Sequence, residues 1–166
     1  MTVKNTVNNY SINRKKCFSL LLLLSLSLVG CGQNHYPPVE VLSSAFGIVE
    51  RTEKDRPRLV DTKVVPLNAG QGYGWIIDIR TNLEKVQYTE QVTLSGPTSW
   101  GVRGDIQYEI STDKNSITVK RETAPTNGRI VSVWRVSADD PPGKATITIK
   151  IENEVEQTFD FELKKP

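Results

Sequence analysis

From about residue 40 onward the chain alternates apolar and polar positions with a period of two. Trp75, Ile77 and Ile79 alternate with Ile76, Asp78 and Arg80, and Ile106, Tyr108 and Ile110 alternate with Gln107 and Glu109. Ile147, Ile149 and Ile151 are set between Thr146, Thr148 and Lys150, and Phe159, Phe161 and Leu163 between Thr158, Asp160 and Glu162. Successive side chains of a strand point to opposite faces, so this pattern predicts strands with one buried face. Further strands are expected over Ser44–Arg51, Leu59–Leu67, Glu90–Ser95, Ser116–Glu122 and Arg129–Ser137. Turn-forming residues separate them: Asn68-Ala69-Gly70, Gly96-Pro97, Asp113-Lys114-Asn115, Asn127-Gly128 and Asp139-Asp140-Pro141-Pro142-Gly143. Asn-Gly is the strongest of these signals, because both central residues of a tight hairpin turn need positive φ; Ala124-Pro125 just before it points to a longer loop. The one helical candidate, Asn82–Gln87, is too short to stand alone.

Eight or nine such strands, with turns between them and no cysteine pair, predict an all-β fold. The pattern is similar to immunoglobulin-like and fibronectin-like domains, which implies an antiparallel β-sandwich of roughly seven to nine strands. A small β-barrel is the alternative.

The first thirty residues are written differently. They hold Lys4, Arg14, Lys15 and Lys16 and no acidic residue, followed by an apolar run from Phe18 to Val29 broken only by Ser19, Ser25 and Ser27. As a helix, at about 1.5 Å per residue, that run spans roughly 18 Å, well short of a bilayer core of about 30 Å. A basic start, a short apolar stretch and small residues before a cut describe a secretory signal peptide. Leu28-Val29-Gly30-Cys31 resembles the lipobox of bacterial prolipoproteins. The resemblance implies cleavage between Gly30 and Cys31, a diacylglyceryl thioether on Cys31 and an acylated, palmitate-type amino terminus. One acyl chain, at about 0.8 kcal/mol per buried CH₂, anchors marginally; several on one residue anchor durably. The expected organisation is a leader at 1–30, a lipidated cysteine and tether at 31–39 stiffened by Pro37-Pro38, and a sandwich domain at 40–166. Gly32, where an aspartate would retain a lipoprotein in the inner membrane, implies the outer membrane if the host is Gram-negative.

Loss of the leader changes the charge. The four bases it carries turn a formal +2 into −2 for the rest, so composition gives no argument for nucleic-acid binding. Cys17 leaves with the leader, and the domain then has no disulfide and no cysteine ligand for a metal. The single histidine, His35, falls in the tether, which excludes Ser-His-Asp, Cys-His and histidine-zinc arrangements from the domain. No catalytic residue, metal or cofactor is expected. Most Asp and Glu alternate outward or sit in turns, where solvation is the default. Asp139-Asp140 lacks the alternating spacing of a calcium loop and reads as a turn. Gly70-Gln71-Gly72-Tyr73-Gly74 lacks a lysine and a following helix, so it reads as a loop into a strand that starts at Tyr73 rather than a phosphate cradle. Arg103-Gly104-Asp105 matches the integrin-binding tripeptide but consists of ordinary turn and surface residues.

What remains is recognition. Trp75 and Trp134 fall in phase with apolar faces and are expected in the core. Tyr73, Tyr88 and Trp100 are the candidate binding surface, since exposed aromatics anchor partner chains and stack on sugars. The sequence therefore predicts a lipid-anchored, non-enzymatic protein-binding or structural module of the cell envelope, with an envelope protein as partner. The alternatives are a glycan-binding module, and an immunity or inhibitor lipoprotein carrying one acidic patch. Cys31→Ser in the full chain should abolish incorporation of labelled palmitate; unchanged labelling would remove the anchor.

Overall fold

The computed structural model describes residues 38–51, 57–102, 104 and 106–166. The leader, Gly30, Cys31, most of the tether and His35 lie outside these residues. Ten strands follow one another: β1 (Val39–Arg51), β2 (Pro57–Asp61), β3 (Val64–Pro66), β4 (Gly72–Thr81), β5 (Val86–Thr93), β6 (Gln107–Ile110), β7 (Ser116–Thr123), β8 (Arg129–Arg135), β9 (Gly143–Ile151) and β10 (Val155–Lys164). They form a four-stranded sheet, β2-β1-β4-β8, and a six-stranded sheet, β3-β10-β9-β5-β7-β6. Neighbours are antiparallel except β3 and β10, which run parallel. The all-β sandwich expected from the alternation is the fold.

Three departures have local causes. The expected strand Leu59–Leu67 is two strands in different sheets, which raises the count to ten. The chain changes sheet at Thr62, whose hydroxyl accepts the Val64 N–H at 3.1 Å and breaks the extended run. Second, β1 begins at Val39, five residues earlier than expected. A bulge between Val41 and Ser43 leaves Leu42 half exposed and interrupts the period of two. Third, Asn82–Gln87 is a bend that runs into β5, with no helix.

The core forms where the two inner faces meet. β4 sends in Tyr73, Trp75, Ile77 and Ile79, and β9 sends in Ile147, Ile149 and Ile151, all at most 3% exposed. Each such side chain contributes about 1.5–3 kcal/mol by leaving water. At one end Phe46, Tyr73 and Phe161 form an aromatic cluster, with ring centroids 4.7 Å apart for Phe46–Phe161 and 5.4 Å for Tyr73–Phe161. The Asn127-Gly128 turn is present, with φ of 52° and 74°, and closes a bridge between Thr126 and Arg129. It does not make a ladder of β7 with β8, because Ala124-Pro125 carries the chain from one sheet to the other.

One expected buried face is exposed. Tyr108 and Ile110 on β6 are 49% and 41% exposed, and all four residues of that strand face solvent. Tyr108 pairs with Val119 and Ile110 with Ile117, so both point to the inner side of the larger sheet. Six strands lie opposite four, and the smaller sheet does not cover this end.

Gly47 and Gly74 are opposite each other on β1 and β4. A Cβ on Gly47 would overlap the Val60 carbonyl and one on Gly74 the Ser132 carbonyl. Gly74→Ala should lower stability to urea by about 2–3 kcal/mol through this overlap. Gly101→Ala, which enters open space, should change it by less than about 0.5 kcal/mol.

Candidate functional site

Among the described residues the most deeply buried acid is Glu90, on β5. Its Oε1 accepts the indole N–H of Trp75 at 2.6 Å and that of Trp134 at 2.7 Å, and its Oε2 accepts the Ser132 hydroxyl at 2.8 Å. The acid belongs to one sheet and all three donors to the other, so the carboxyl joins the sheets where apolar contact alone would leave them free to shift. Burial pushes the Glu90 pKa up; the bonds from Trp134, Trp75 and Ser132, and the charge of Arg121, pull against it. Tyr88, on the same face of β5, meets Trp75 edge-on at 5.6 Å, and burial beside Glu90 raises its pKa to about 12. Burial, then Asp140 and Glu90, raise that of Tyr73 further still.

Trp134, held by Glu90, is one wall of a cleft of about 520 Å³ on the flank where β8 ends the smaller sheet. The other wall is the segment Ser99–Val102. Trp100 meets Trp134 edge-to-face, 6.2 Å between centroids, and donates its Nε1 hydrogen to the Lys114 carbonyl at 3.0 Å. Two aspartates fasten that segment. Asp140 accepts the Thr98 hydroxyl at 2.6 Å and the Ser137 N–H at 2.8 Å, and Asp139 accepts the Ser99 N–H at 2.9 Å. The expected turn at Asp139-Asp140 thus serves as a clasp. Val119 and Ile106 add apolar lining, and Arg121 points in from β7. The Arg121 Nε is buried without a hydrogen-bond partner, and among the described residues no carboxylate lies within ion-pair distance of this guanidinium.

A second hollow of about 600 Å³ continues along β8, lined by Thr123, Thr126, Arg129, Ile130 and Val131. Among the described residues no strand pairs with the outer side of β8. Val131 and Val133, in the middle of this edge, are 50% and 47% exposed. Sheet edges are ordinarily blunted by lysine, proline or shortness. β3 and β6 are three and four residues long, and β2 opens on a proline. β8 has seven residues, with no charge or proline between Arg129 and Arg135.

Of the three aromatics expected on a surface, Trp100 lines this cleft half-buried, and Tyr73 touches it from the core beneath. Tyr73 and Tyr88 are 1% and 5% exposed and belong to the core, because strand β4 already begins at Gly72 and β5 at Val86, which turns both rings inward. Trp75 is fully buried as expected, whereas Trp134 is only partly so. The residues that sequence reasoning missed are Glu90, Ser132 and Arg121. The signal was phase: Glu90 continues the series Val86, Tyr88, Val92, and Arg121 continues Ile117, Val119. Among the described residues no group of three or more histidine, cysteine or acidic side chains is placed to hold a metal. Arg103 and Asp105 lie outside the described residues.

Most of the chain matches a known family. The family model described as the PM0630 beta sandwich domain covers residues 44–164. The chain belongs to this family. As a PM0630 beta sandwich domain it has an immunoglobulin-like relative in shape: a crystal structure of an immunoglobulin-like protein from Pseudomonas aeruginosa matches with a TM-score of 0.51 at 15% identity, over 76% of this chain and 96% of that one. At that identity the likeness is one of fold. A comparison with curated proteins finds no match.

Glu90→Ala should lower stability by about 3 kcal/mol or more, since it strands the buried Trp75 N–H and Ser132 hydroxyl and the part-buried Trp134 N–H. Glu90→Gln keeps an acceptor and should stay within about 1 kcal/mol of the parent. The raised pKa of Glu90 fixes the sign of its pH dependence. Its contribution is full below the ordinary glutamate range and is lost as pH rises through the folded value. In urea titrations at pH 5 and pH 8, Glu90→Gln should therefore gain on the parent at the higher pH.

Proposed function

We propose that this chain is a lipid-anchored envelope lipoprotein that binds a partner protein, without chemistry of its own, on the open flank beside β8. The observation that carries the reading is an edge of seven residues, unguarded and apolar at its centre, beside a cleft walled by two tryptophans. Isolated edges with exposed valines are aggregation hazards, and a partner that covers the edge removes the hazard. Glu90 and the two aspartate clasps hold the cleft walls in place, which lowers the ordering penalty on binding. The lipobox resemblance supports the address: thioether lipid on Cys31 and, for a Gram-negative host, the outer membrane. A sugar platform has less support, because two of its three aromatics are interior and Trp100 already spends its N–H on Lys114.

A photo-crosslinking amino acid at position 133 of the full chain, expressed in its own cell, should give one cross-linked protein of defined mass. The same probe at position 150, on the outer face of β9, should give none. Identical smears from both positions would end the partner reading.

A further inference from the structure

The flank also indicates the form of what it binds, an inference that rests on the partner-binding reading above. In the ladder of β8 with β4, Ile79 donates to the Gly128 carbonyl at 2.7 Å, and on the far side Arg129 and Thr126 exchange bonds at 3.0 Å. Bonding direction alternates along an antiparallel strand. Ile130, Ser132 and Trp134 therefore spend their backbone groups on β4, and Val131, Val133 and Arg135 aim theirs outward. Among the described residues no strand receives them.

The larger sheet has a matching gap. β6 pairs with β7 only as far as Gln107 opposite Lys120, and among the described residues no strand continues beside Arg121 to Thr123. Tyr108 and Ile110 are uncovered on the inner face. Strands in a sheet lie about 4.8 Å apart, so one further strand on β8 would lie over β7 and beside this uncovered face. Its inward side chains would meet the guanidinium of Arg121. Its outward side chains would lie beside Val131 and Val133.

Charge decides between occupants. Arg121 faces the gap with its Nε unpartnered, and Arg129 and Arg135 stand at the two ends of the edge. Arg129 is held by Asp78 at 2.7 and 3.1 Å; Arg135 donates to the Gly70 carbonyl at 3.1 Å. A second copy of β8 paired on this edge would bring two more arginines and no acid. We infer that the open flank takes an extended acidic segment of another protein as an added strand, its backbone paired with Val131, Val133 and Arg135 and one carboxylate on Arg121. Main-chain bonds supply affinity in this mode, and the pocketed side chain supplies choice.

The test is a selection of displayed random peptides, about ten residues long, on the full chain produced with its leader and purified in detergent. Enriched peptides should alternate apolar residues with an Asp or Glu at one fixed position. A synthetic copy should bind at least tenfold more weakly when that acid becomes its amide, and Arg121→Gln should erase this difference. Backbone N-methylation at alternate peptide residues, which leaves the protein untouched, should abolish binding. Val133→Pro should do the same, since it removes an outward N–H that β4 does not use. The proposal is overturned by no enrichment, by enriched peptides without a fixed acid, or by binding indifferent to N-methylation. It is also overturned by a dimer in sedimentation that Val133→Pro dissolves, which would give the edge to a second copy. A single cross-linked protein at position 133 together with any of these failures leaves the partner reading standing and removes the added strand alone.

Discussion

One buried carboxylate sets the geometry of this sandwich. Apolar faces hold two sheets together but specify their relative position only loosely, because one aliphatic contact is much like another. Glu90 removes that freedom. It is an acid in a dry interior, tolerable only while its oxygens are filled, and the three donors that fill them come from the opposite sheet. Any slip between sheets would break bonds that water cannot replace. The same bonds orient Trp134, and Trp134 in turn sets Trp100. A core interaction thus extends, ring to ring, to the rim of the cleft.

The unequal sheets explain why the flank beside β8 differs from the rest of the surface. Six strands opposite four leave inner-face residues with nothing above them, and the deficit falls at the end where β8 stops. Three of the four sheet edges are short or carry proline, whereas this one is long and apolar. The arginine that points into the gap continues the inward phase of β7, a position otherwise given to isoleucine and valine. A half-buried cation at such a position gives up solvation, and among the described residues no carboxylate pairs with it directly, although its charge acts on Glu90 from a distance.

Much of the architecture was legible in the chain because alternation reports directly on which face of a strand is dry. Ile147, Ile149 and Ile151, or Trp75, Ile77 and Ile79, needed nothing else. Where the reading failed, a second influence acted. The bulge at Leu42 shifted the phase. At Thr62 one apolar run was divided between two sheets. Tyr108 and Ile110 face inward as their period implies, but inward is not buried where the opposite sheet is too narrow, and no local pattern carries sheet width. Tyr73 and Tyr88 suit a surface by residue type, whereas their phase places them inside. Glu90 and Arg121 were the reverse: their type suggested solvent, and their phase was the better guide.

The parallel pairing of β3 with β10 has a consequence for the order of assembly. Val64 and Glu162, partners in that pairing, lie about a hundred positions apart, a separation that makes contacts slow to form. The larger sheet therefore cannot close its β3 side before β10 has left the ribosome. Until β10 arrives, Val64–Pro66 has no ladder to join, and that margin of the sheet is the last to be sealed.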